Sequence, residues 1–77
     1  MTELEAFETI ARKVHSDGQA SIMDGIPCPH SVSVLFYIEN FLNDLGLCSP
    51  VVSALSHDLD IHNRECIEFN GGYGYDD

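Results

Sequence analysis

Basic residues are scarce in this sequence: Arg12, Lys13 and Arg64 stand against thirteen aspartates and glutamates, for a formal net charge of −10. Each contact with a phosphate needs a Lys or Arg to replace released counterions, so direct binding to DNA, RNA or an anionic membrane is excluded as a main activity. Long hydrophobic runs are missing as well. The longest, residues 34–38, falls far short of the ~20 apolar residues that cross a bilayer. The cysteines Cys28, Cys48 and Cys66 are odd in number and have no disulfide-framework spacing, and the start MTELEAFE lacks the basic and apolar regions of a signal peptide. A cytoplasmic chain with reduced thiols is therefore expected. A length of 77 residues leaves room for one core and none for a deep catalytic cleft.

What is present is the composition of a folded domain, with 44% hydrophobic and 21% charged residues, whereas disordered acidic chains are poor in Val, Ile, Leu and Phe. Thr2-Glu3-Leu4-Glu5 has the form of a capping box and opens a helix. Leu4, Phe7, Ile10, Ala11 and Val14 share one face of it, and Glu8 and Arg12 stand at i,i+4 for a local ion pair. Asp17-Gly18 predicts its end. Residues 19–31, with Asp24-Gly25, Pro27 and Pro29, read as the longest loop, in which residues 20–23 form at most a short extended piece. Ser31 can cap a second helix that carries Val34, Leu35, Ile38, Phe41, Leu42 and Leu45 and ends at Gly46 with Leu47 as its Schellman contact. Ser49-Pro50 starts a third helix, whose stripe is Val51, Val52, Leu55 and Leu59.

The fold class that follows is mostly α, a small three-helix domain over residues 1–69. Residues 59–61 and 67–69 also alternate with period two around the turn-like His62-Asn63-Arg64, so a short C-terminal β-hairpin, giving an α+β domain, is the alternative. Residues 70–77, rich in Gly, Tyr and Asp, read as a tail.

Four sets of residues could carry chemistry. Cys28, His30, His62 and Cys66 include the residue types of a zinc site. They lack CxxC or HxxxH spacing, so buried thiols beside a rim histidine are preferred and no cofactor is expected. His57, Asp58 and Cys66 supply the letters of a nucleophilic site, but no cation or nucleophile turn marks a stabilised thiolate, and catalysis is not expected. On the second helix the core arc runs through Tyr37, Phe41, Leu45, Ile38, Leu42 and Leu35. Val32 and Phe36 then project among polar residues, either under the 19–31 loop or as a dimer or partner patch. Asp58, Asp60, Glu65 and Glu68, with Glu39 and Asp44 nearby, form the acidic surface that would steer a partner. Acid also gathers toward the end of the chain, where residues 51–77 carry a net −5 against −1 for residues 1–15. Protonation of the four histidines would relax the formal charge toward about −6 in mildly acidic solution.

In size, acidity and lack of a catalytic signature the chain is similar to small bacteriophage-encoded inhibitors such as anti-restriction and anti-CRISPR proteins. That likeness implies a non-enzymatic inhibitor that docks on the basic, nucleic-acid-handling surface of a larger protein machine. Asp58, Asp60, Glu65 and Glu68 would steer it and Phe36, with Val32, would anchor it. The competing expectation is a small structural or regulatory subunit, in one form a zinc-stabilised homodimer.

Overall fold

A computed structural model describes residues 2–69, which form three α-helices: α1 (Glu3–Met23), α2 (Pro29–Asp44) and α3 (Pro50–Phe69). The expected tail of residues 70–77 lies outside the described residues. Each helix packs on both others. Residue pairs fix the directions: His15 meets Asp58 and Gln19 meets His62, so α1 and α3 run parallel, while Phe7 meets Phe41 and Glu39 meets Ser56, so α2 runs against both.

The capping box at Thr2 is formed in both directions, with Thr2 Oγ1 accepting from the Glu5 amide at 3.1 Å and Glu5 Oε1 accepting from the Thr2 amide at 2.9 Å. Helix α1 does not stop at Gly18, and residues 19–23 are helical rather than a loop or an extended piece. Gly18 is buried, and a Cβ placed on it would stand 2.8 Å from Leu59 Cδ2 and 3.3 Å from Cys28 Sγ. The glycine therefore serves close approach between helices, which offsets the ~1 kcal/mol that glycine costs a helix interior. The real terminator lies about two turns later. Gly25, at φ +80°, donates to the Ile22 carbonyl, and Ile26 donates to that of Ser21, a Schellman motif. An equivalent motif ends α2, where Gly46 at φ +76° donates to Asn43 and Leu47 to Leu42.

Helix α2 begins two residues before Ser31, with Pro29 in the first turn and Cys28 at the cap position. No side chain caps it. The Cys28 amide instead donates to Asn63 Oδ1 of α3 at 2.7 Å, a buried bond that ties the α1–α2 connection to the third helix. Helix α3 starts as the sequence implies: Ser49 Oγ accepts from the Val52 amide at 3.2 Å. The same hydroxyl donates to Glu8 Oε2 at 2.7 Å, so Glu8 reaches across to the positive end of α3 rather than along its own helix to Arg12. Residues 59–69 continue α3 without a break, and the hairpin is not formed. Its buried stripe, Val52, Ser56, Leu59, Asn63 and Cys66, has helical spacing. Two of its five members are polar, which hides the period from a reading of hydrophobicity alone.

The core is Ala11, Cys28, Val32, Leu35, Ile38, Leu42, Val52 and Leu59, with Leu4, Phe7, Val14, Ile22, Phe36, Leu47 and Leu55 packed on it. The buried arc of α2 is thus rotated from the expected one. Val32 is 8% exposed and Phe36 is half-buried, whereas Tyr37 is 70% and Leu45 52% exposed. The cause is α3, which covers the Val32 and Phe36 side; the Phe36 ring meets His57 edge-on at 5.6 Å. None of the described helices is long and apolar enough to cross a membrane.

Candidate interaction surfaces

Three surfaces are built on this frame. The first is a polar clasp between α1 and α3. His15 and Gln19 stand one turn apart on α1, and Asp58 and His62 one turn apart on α3. Because those helices run parallel, the two pairs meet in register. His15 Nε2 donates to Asp58 Oδ2 at 2.7 Å, and the Gln19 amide group uses its two hydrogens on Asp58 Oδ2 at 3.1 Å and His62 Nδ1 at 2.7 Å. The hydrogen bond from His15 holds the Asp58 carboxyl below its ordinary value, against the opposing effect of desolvation; the nearby His62 ring and Gln19 act in the same direction as His15. Asp58, expected as a steering acid, is thus tied to a neighbouring helix while its side chain stays half-exposed.

The remaining acids of α3 do not form one row. Asp58 and Glu65, seven residues apart, share a side, while Asp60, two residues from Asp58, points about 160° away from it around the helix. Asp60 lies 3.2 Å from Arg64, and Glu68 is exposed. Of the two neighbouring acids, Glu39 turns inward and accepts from the Ser56 hydroxyl at 2.9 Å. Asp44 is exposed at the end of α2. Two of the three cations are spent locally, Lys13 beside Asp17 at 3.6 Å and Arg64 beside Asp60.

The second surface is a groove of about 470 Å³ between the C-terminal ends of α1 and α3, with Ile22, Met23 and Phe69 as apolar walls and Gln19, His62 and Glu65 as polar edge. Cys66 lines it, and behind Cys66 stands Cys28, whose thiol is pushed up by burial and then by its neighbour Cys66. Both residues are buried and outside any disulfide, and Cys48 is exposed and likewise unbridged. A raised thiol is a poor nucleophile and a poor metal ligand. His30, the remaining member of the zinc set, is exposed on the first turn of α2. Among the described residues no group of three or more His, Cys, Asp or Glu is placed to hold a metal ion.

The third surface was not expected at all. The rings of Tyr37 and Phe41 stack at 6.4 Å, and Phe41 meets Phe7 of α1 at 5.5 Å. Val34 and Leu45 extend this exposed strip along α2, and Ile10 extends it onto α1. The sequence did contain the signal, a second apolar line at positions 34, 37, 41 and 45. The expected core arc took in Tyr37, Phe41 and Leu45 beside Leu35, Ile38 and Leu42, whereas the line actually buried, Val32, Leu35, Ile38 and Leu42, is wholly aliphatic.

A comparison of this chain with protein families, with curated proteins and with solved structures returned no match.

Proposed function

We propose that this chain is a non-catalytic binding protein that docks on the basic, nucleic-acid-handling surface of a larger protein and blocks it. The observation that carries this reading is the charge economy of the fold. Thirteen acids face three cations, and Lys13 and Arg64 are each held beside an aspartate. The field around the helices is therefore negative, and such a field raises the encounter rate with positive surfaces and repels nucleic acid itself. Glu65 and Glu68, both exposed on α3, steer the approach. Val32 is taken up by the core and Phe36 lies against His57, so the anchoring role given to them passes to other apolar groups. Met23 and Phe69, the apolar walls of the α1–α3 groove, offer such groups.

The test is capture by the immobilised full chain from a lysate of its native host, at low and high salt, with duplex DNA as competitor. The expected result is a basic protein that leaves as salt rises and that DNA displaces. A captured protein indifferent to both salt and DNA, or adhesion of the DNA to the chain itself, overturns the reading.

A further inference from the structure

Helix α2 has a face that the other described residues leave uncovered. Val34, Tyr37, Phe41 and Leu45 recur at intervals of three and four residues, which aligns them along one side of a helix, and all four are exposed. Contact between Phe41 and Phe7 carries the strip across the seam to α1, where Ile10 is 49% exposed. Side chains of this size and exposure present on the order of 500 Å² of continuous apolar surface, toward the upper end for a lone chain and typical of an interaction site.

Charge distinguishes what can cover it. A basic partner would find no row of carboxylates here. Of the two acids on α2, Glu39 is turned inward to Ser56 and only Asp44 stands beside the strip, at its end. On the α1 flank Lys13 and Asp17 neutralise each other, and Glu3, one turn before Phe7, is the one other exposed acid on that side among the described residues, at the Asp44 end of the strip. For a second copy of the chain the same facts are favourable, because two bodies of net charge −10 can meet only where neither presents its acids. A two-fold axis through the strip lays one α2 antiparallel on the other and turns the Asp44 end of each copy toward the His30 end of the other. That end of α2 has no acid in its first turn and carries the positive end of the helix dipole. We propose that the chain forms a two-fold homodimer through the Val34, Tyr37, Phe41 and Leu45 strip together with Ile10. The dimer leaves the α3 acids of both copies facing outward and does not depend on the proposed target. Its interface buries on the order of 1,000 Å², at the low end for specific contacts, which suits a reversible dimer.

Sedimentation of the full chain, with no partner present, reads the proposal directly. The mass rises from 8.5 kDa toward twice that between low and several hundred micromolar, and added salt does not reverse the rise. Tyr37→Glu shifts the midpoint at least tenfold upward with an unchanged helical circular dichroism spectrum. Asp44→Lys weakens the dimer several-fold, and His30→Glu added to it restores the affinity. A mass of 8.5 kDa at every concentration overturns the proposal, as does a dimer indifferent to Tyr37→Glu. A chain that stays monomeric while Tyr37→Glu abolishes capture of a basic protein also overturns it, and then the strip belongs to that protein.

Discussion

Asp58 illustrates how a single carboxylate can change its meaning between sequence and fold. Its acidity is set by the His15 hydrogen bond first, so its folded value lies below the unfolded one of about 3.9. A depressed carboxylate stabilises the fold fully above its unfolded value, and the contribution disappears as pH falls through the folded one. Asp58→Asn should therefore be less stable than the parent at neutral pH. The gap should close in acid, below about pH 4, when urea unfolding of both chains is compared across a pH series. The side chain is half-exposed, so solvent screening keeps the gap small. A gap that stays constant with pH would mean that the clasp acts through shape alone. Asn63 is the buried counterpart: its carbonyl oxygen satisfies the Cys28 amide, a donor that would otherwise cost about 1–3 kcal/mol unpaired.

At the scale of elements, Gly18 decides how α1 meets α3. Replacement by alanine would gain about 1 kcal/mol of helix propensity. It would also push a methyl to within 3 Å of Leu59, a side chain with no exposed surface, and overpacking of that kind costs about 1–3 kcal/mol. Gly18→Ala should thus be neutral to destabilising by about 2 kcal/mol in urea unfolding; a clearly stabilised variant would show that Leu59 can step aside. Much of the architecture was legible beforehand. The capping box at Thr2, the Gly46 and Leu47 terminator and the Ser49-Pro50 start all depend on local backbone chemistry, and all three stand where the sequence puts them. What failed was tertiary. Gly18 looks like a stop until Leu59 is seen behind it, and which edge of the broad apolar arc of α2 is buried depends on where α1 and α3 pack. His15, Gln19, Asp58 and His62 show i,i+4 spacing within each helix, but their meeting needs the parallel register of two helices. Sequence spacing does not encode that register.

For the molecule as a whole, the decisive quantity is where the acids are not. Helix α3 and the first turn of α1 carry Glu3, Glu5, Glu65 and Glu68 outward, while the aromatic strip of α2 carries none. Segregation of this kind divides labour: the neutral face can hold a second copy at short range, and the acidic faces act on the target at distances up to a Debye length of about 8–10 Å. Their effects are separable by kinetics, since steering changes the rate of association and anchoring changes the rate of release. Glu65→Lys combined with Glu68→Lys reverses two exposed acids without touching the clasp or the core. If the captured target is bound by steering, its association rate with this variant should fall several-fold at low salt, with the deficit shrinking as ionic strength rises and the dissociation rate nearly unchanged. Stopped-flow or surface-binding kinetics at a series of salt concentrations would read both rates. Should the double reversal alter release and leave association intact, these glutamates are contacts in the bound state, and the long-range role assigned to the acidic face is wrong.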